Sequence, residues 1–127
     1  MRLYTYRERP DGDDRIGVGF GTDSLYALED FGLTFADMND LICNITPEQM
    51  DKLRNAPKGA KPIALDSLVR RAPIPYPMQD VVCLGINYDA HHEEAGRFNQ
   101  EAFGDRPKAI YFSKRVSEAN CDGGKIP

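Results

Sequence analysis

No run of apolar residues in this chain approaches the roughly 20 that a membrane span needs. No basic cluster interleaved with aromatic residues occurs either, and the net charge is −4. A negative balance repels phosphate, so neither nucleic acid nor a membrane surface is an expected partner. The opening residues, MRLYTYRERPDGDD, lack the hydrophobic stretch of a secretory signal. Cysteine is scarce. Cys43, Cys83 and Cys121 are odd in number, widely spaced and never form CxxC, which excludes a disulfide framework. They read as free thiols of a reducing compartment, so a cytoplasmic location is expected. Histidine is scarcer still: the two that exist, His91 and His92, are neighbours. What remains, 41% apolar and 28% charged residues, is the balance of a globular protein. A length of 127 residues suffices for one domain, or for a small domain with part of another.

The pattern changes near residue 75. Residues 2–8, RLYTYRE, alternate as a strand does, and Pro10 to Asp13 form a turn. IGVGFG then sets Ile16, Val18 and Phe20 on one face of a second strand. Its glycines lie between apolar residues with no helix directly after them, so a phosphate loop is not expected. Close packing of another segment over a glycine face is the expectation. SLYALED (24–30) reads as a third strand. Two helices follow. In TFADMNDLI, Thr34 is the expected N-cap, with Phe35, Met38, Leu41 and Ile42 facing a core. In TPEQMDKL, Thr46 caps, Pro47 takes the first helical position and Gln49 returns the capping-box bond, with Met50 and Leu53 as the apolar stripe. Prolines 73, 75 and 77 alternate, which favours a stiff, extended connector with few backbone donors. The expected organisation is a small α+β domain over 1–72, a connector over 73–78, and a different domain over 79–127. Nothing in residues 1–72 gathers catalytic groups.

Beyond the connector, DVVCLGI is a nearly continuous apolar run, which suits a buried strand. Asp89 can cap a short helix, DAHHEEAG, closed by Gly96. On it His91 and Glu94 are three residues apart and share a face. His92 lies about 100° away around the helix. Three readings are open for this stretch. It is an exposed helix with incidental charge, or a zinc site, or a general base. The zinc reading lacks the HExxH spacing and a third histidine. The base reading rests on a carboxylate that orients an imidazole and raises its basicity. With no serine elbow or placed cysteine nearby, such a base would act on water or on a substrate C–H.

CLGINYDAHHEEAG resembles the signature G-x-N-Y-x-x-H-x-x-E of the fumarylacetoacetate hydrolase family, matched in register by Gly85, Asn87, Tyr88, His91 and Glu94. The following PKAIYFSK (107–114) resembles that family's next strand, which ends in a phenylalanine, one residue and a lysine. Ser117 and the GGKIP segment also resemble it, as does the APIP connector at 72–75. The resemblance implies a small N-terminal α+β domain followed by the opening segment of a mixed, largely β rolled-sheet catalytic domain, in a homodimer. It implies His91 as general base, Glu94 as its orienting partner and Lys114 as a substrate or charge-stabilising group. Asn87, Tyr88 and Ser117 would bind substrate. The implied substrates are 1,3-dicarbonyl or 2-oxo acids, as in aromatic catabolism. The implied reactions are C–C hydrolysis, decarboxylation or isomerisation, including that of 2-hydroxyhepta-2,4-diene-1,7-dioate. The implied cofactor is Mg²⁺ (or Mn²⁺ or Ca²⁺), which would ease enolate formation in a chelated substrate.

The sequence departs from the family in two ways. Arg115 stands where proline usually follows the lysine. The Glu-x-Glu and later Asp that hold the family's metal are absent from these 127 residues. The expectation is therefore an N-terminal portion of such an enzyme, inactive alone and without a tight metal site. The alternative is a self-standing, non-catalytic folding or assembly module. Strands Val81 to Ile86 and Ala109 to Ser113 would lack their usual sheet partners, so a dimer or larger assembly is expected, with contacts concentrated after residue 76.

Overall fold

A computed structural model of the chain describes residues 1–85, 88–98 and 110–126. It is an α+β protein. The chain forms two compact units: Met1–Pro77 with Ser117–Pro127, and Met78–Val116. Residues 117–126, expected to continue the second domain, thus fold with the first unit.

The first unit is built on five strands: β1 (Arg2–Arg7), β2 (Arg15–Gly19), β3 (Ser24–Ala27), β4 (Ile63–Ala64) and β5 (Val69–Arg70). Their order is β4-β3-β2-β1-β5, antiparallel at every pairing, and the sheet curls into a half-barrel. Alternation along β2 decides the two faces. Ile16 and Val18 enter the main core with Leu28, Phe31, Leu33, Met38, Leu41 and Leu53. Phe20 follows the strand and is partly exposed, as the chain turns at Gly21 to Ser24. The opposite face of β2 is glycine, and the expected close packing is there. A methyl group at Gly17 would lie 2.8 and 2.9 Å from the Leu25 methyls and 3.1 Å from the Tyr6 ring. Tyr6 and Leu25 are fully buried and, with Leu65, make the second core cluster. Burial also pushes the Tyr6 phenol above its ordinary pKa.

Three local expectations are corrected by the structure. SLYALED is a strand only to Ala27. Residues Leu28–Phe31 then tighten into a 3₁₀ turn that ends at Gly32, whose positive φ of 68° suits glycine. Residues three apart eclipse in such a turn, so Leu28 and Phe31 both reach the core. The first helix, α1 (Met38–Asn44), is capped by Asp37 rather than Thr34. The Asp37 carboxylate accepts from the Asp40 amide at 2.9 Å, and Asp40 accepts from the Ala36 amide at 2.8 Å. This pair satisfies the free donors of the first turn better than one hydroxyl would. The later start leaves Ile42 55% exposed, while Met38 and Leu41 are buried. The second helix, α2 (Pro47–Lys52), has the expected Thr46–Gln49 capping box, with Pro47 at its start. Leu53 is buried and Met50 packs on the core.

The proline segment supplies carbonyls where it lacks donors. Pro73 O accepts from the Thr5 hydroxyl at 2.7 Å, Tyr76 O from Asn39 at 3.0 Å, and Pro75 O from the Ala119 amide at 2.7 Å. Consecutive arginines add ionic ties. Arg70 pairs with Asp122, and Arg71 with both Glu118 and Asp14. Asp14 also accepts from Arg7 at 2.5 Å. Residues 118–122 are thereby fastened to the end of β5.

The second unit contains β6 (Val81–Gly85), α3 (Asp89–Phe98) and β7 (Ile110–Lys114). β6 and β7 form a two-stranded antiparallel sheet from Val81↔Lys114 to Gly85↔Ile110. β6 is not the buried strand its composition suggested. Val82 and Leu84 are 71% and 43% exposed on one face and Val81 is 45% exposed on the other, because no second layer covers them among the described residues. Helix α3 runs through Gly96 to Phe98 instead of closing at Gly96.

Gly17→Ala should destabilise the first unit by about 1–3 kcal/mol, since the added methyl meets buried side chains that cannot withdraw. Thermal or urea unfolding would measure it, and an unchanged midpoint would contradict the packing described. A second expectation concerns acid. The Arg71 guanidinium holds the Glu118 carboxyl below the usual carboxylate range. A depressed folded pKa contributes stability above the unfolded value, about 4.3, that is lost as pH falls through the folded value. Residues 117–126 should therefore lose amide protection below about pH 4 while β1–β3 keep theirs. Glu118→Gln should loosen the same segment at neutral pH. An acid response identical in that variant and the parent would refute the assignment.

Candidate active site

Three of the six candidate residues, Tyr88, His91 and Glu94, follow the end of β6 at the start of α3. Five residues in extended backbone end at Gly85, and the helix begins at Asp89. A rigid strand followed by a helix start is a common platform for chemistry, because both elements fix the backbone of the groups they carry. Tyr88 immediately precedes the helix and is 62% exposed. His91 is the third helical residue and Glu94 the sixth, so the helical period sets them on one face. His92 is the fourth and lies off that face. The Glu93 and Glu94 side chains are exposed. Asn87 lies outside the described residues.

Lys114 is placed differently. The antiparallel register sets it opposite Val81, four residue pairs from Gly85. At ~3.4 Å per residue, about 14 Å of strand separates its backbone from the β6 end that leads to α3. The ladder does not bring Lys114 beside the helix start. Its side chain is exposed at the other end of the hairpin. Ser117 is exposed and belongs to the first unit. The six candidate residues are therefore grouped only in part: Tyr88, His91 and Glu94 share one segment, and Lys114 shares their unit.

A divalent cation of the Mg²⁺ kind needs about six oxygen ligands in near-octahedral order. Among the described residues no three His, Cys, Asp or Glu side chains come together to hold a metal ion. The described residues do not fit that cofactor. The three cysteines are free thiols, Cys43 exposed and the other two half-buried. No helix among the described residues is long and apolar enough to cross a membrane.

The Arg7–Asp14–Arg71–Glu118 network in the first unit has almost no signature in the sequence. Asp14 and Glu118 are 57 and 47 residues from Arg71 along the chain. The one local signal is the Arg70-Arg71 pair ahead of the connector. The network holds polar groups in mutual satisfaction and leaves no spare acid or base. A cleft of about 450 Å³ lined by Thr22, Asp23, Leu65, Asp66 and Arg70 is also in the first unit, and none of the motif residues lines it.

No protein-family model, curated protein or solved structure matches this chain.

Isothermal titration of the chain with Mg²⁺ should give no tight site, since no carboxylate cage is assembled among the described residues. One saturable site on the order of micromolar would contradict this.

Proposed function

We propose that this chain is the N-terminal, base-bearing portion of an enzyme of the fumarylacetoacetate hydrolase type. Such an enzyme is a hydrolase, decarboxylase or isomerase of 1,3-dicarbonyl or 2-oxo acids, dependent on a divalent metal and located in the cytoplasm. The observation that supports it best is that the motif's Gly85 ends a strand and its His91 and Glu94 lie on the helix that begins at Asp89. Within this reading His91 takes a proton from water or from a substrate C–H, and Glu94 keeps the imidazole oriented for that transfer. In C–C hydrolysis the water oxygen bonds to a carbonyl carbon and the adjacent C–C bond breaks. Its electron pair becomes an enolate, which regains the proton. Lys114 receives negative charge on the substrate. Its place at the far end of the hairpin suits a carboxylate remote from the reacting carbon. By the same resemblance Asn87, Tyr88 and Ser117 are the candidates for substrate binding.

A second reading has one observation in its favour. The exposed apolar hairpin suits a non-catalytic assembly module, whose purpose is contact rather than chemistry.

The two readings separate by mutation in an active enzyme that contains this segment. His91→Ala should lower kcat by ~10²–10⁴-fold, the usual contribution of a general base. His92→Ala should cost far less. Lys114→Met should act mainly on KM, as expected for loss of a substrate contact. Equal losses at His91 and His92 would overturn the assignment of the base. Full activity in the His91→Ala enzyme would favour the assembly reading.

A further inference from the structure

The two strands of the hairpin β6–β7 are far apart in sequence. β6 ends at Gly85 and β7 begins at Ile110, so residues 86–109 lie between them. A turn of about two to five residues fixes the register of the strands it joins, and a connection of this length does not. At the other end the chain is held. Pro75 O accepts from the Ala119 amide at 2.7 Å. Arg71 pairs with Glu118, the residue before Ala119. The Arg71 guanidinium is itself oriented: its Nε donates to Asp14 at 3.1 Å, and Asp14 also takes Arg7. The Arg71 side chain is only 12% exposed, so it has little room to turn away. The spacing beyond this tie is even. Six residues lead from Pro75 to Val81 and five from Lys114 to Ala119, and Val81 and Lys114 are the first pair of the ladder. Pro77 stiffens the first of these connections. A slip of two residues would change the difference between their reaches by ~7 Å.

We infer that Arg71 and Glu118, together with the Pro75–Ala119 backbone bond, form a register clamp for β6 and β7, which makes them the positioning residues of Lys114. Pairing distant strands costs closure entropy that grows with the loop closed. With residues 75 and 119 already joined, the strands pair from that end through two short connections instead of across residues 86–109. Register matters because the side-chain period of a strand is two. A one-residue slip turns every side chain of β7 to the other face, and a two-residue slip carries Lys114 ~7 Å along β6. The hairpin's own contacts resist such slips poorly. β6 is Val-Val-Cys-Leu-Gly, and Val81, Val82 and Leu84 are all exposed, so no core rejects the wrong face. One partly exposed ion pair contributes little by itself. Here it acts with a backbone bond and with a guanidinium anchored on a second carboxylate, so it restricts geometry more than it adds energy. The consequence for Lys114 rests on the catalytic reading; the register does not.

The test uses cross-strand disulfides in the 127-residue chain carrying Cys43→Ser and Cys121→Ser, which leaves Cys83 as its one thiol. Phe112 is opposite Cys83 in the ladder, and Tyr111 and Ser113 flank it. Phe112→Cys puts a thiol about 5 Å across the pair, within disulfide reach, while Tyr111→Cys and Ser113→Cys put theirs on the other face. Under diamide, Phe112→Cys should close an intrachain bond about tenfold faster than either neighbour. Adding Glu118→Ala and Ala119→Pro, which remove the ion pair and the amide donor, should cut that preference to about threefold or less. Glu118→Ala alone should lower it part way. Hydrogen exchange in β1–β3 should stay unchanged, as it must if the first unit is intact. A tenfold preference that persists in the double variant would overturn the clamp, as would equal rates at the three positions without it. In an active enzyme that contains this segment, Glu118→Ala should raise KM and add little to Lys114→Met, since both act at one point. Losses that add in full would overturn the positioning role. Full activity of His91→Ala in that enzyme would remove the bearing on Lys114 and leave the cross-link result to decide the clamp.

Discussion

The first unit depends on how closely side chains approach the backbone of β2. Gly17 leaves no Cβ on one face, and the Tyr6 ring and Leu25 methyls occupy that space. The neighbouring strands then bury Tyr6 and Leu25 fully, while Ile16 and Val18 bury the opposite face. One strand thereby holds two core clusters apart by the thickness of its own backbone. α1, the 3₁₀ turn and the proline segment all pack or bond against elements fixed by this arrangement. The ties at Arg70 and Arg71 extend the same order to residues 118–122. Those ties are partly exposed and individually weak. Their effect comes from acting together with the Pro75–Ala119 backbone bond.

The second unit is in a different physical state. Its ladder is regular, but among the described residues most of its large apolar side chains are exposed. A hairpin of this kind gains little from burial, so it is the less stable part of the chain. It is also the part that bears the proposed chemistry. Both properties follow from one composition: β6 is apolar on both faces because both are suited to cover, and its end is where the motif begins.

Much of the first unit was legible because its determinants are local. The Thr46–Gln49 box spans four residues, and the glycine face of β2 shows in simple alternation. Elsewhere a competing local group or a distant one decided the outcome. Asp37 and Asp40 took the cap from Thr34. Core packing of Leu28 and Phe31 ended β3 early. Arg71 found Asp14 and Glu118 across 57 and 47 residues, which no spacing rule reveals. β6 looked buried because composition reports what a strand can tolerate and not what covers it. At the candidate site, the shared face of His91 and Glu94 follows from helical period alone. The distance of Lys114 from that face is set by the hairpin register, which only the pairing shows.

A self-sufficient first unit and a hairpin that needs cover should differ in how readily their backbone amides open to solvent. Native-state hydrogen exchange, followed by mass spectrometry across a range of protein concentrations, measures that difference directly. Exchange in β1–β3 should be slow and independent of concentration. Exchange in β6 should be fast by comparison at the lowest concentration. Exchange in β6 as slow as in β1–β3 at the lowest concentration would contradict the contrast between the two units.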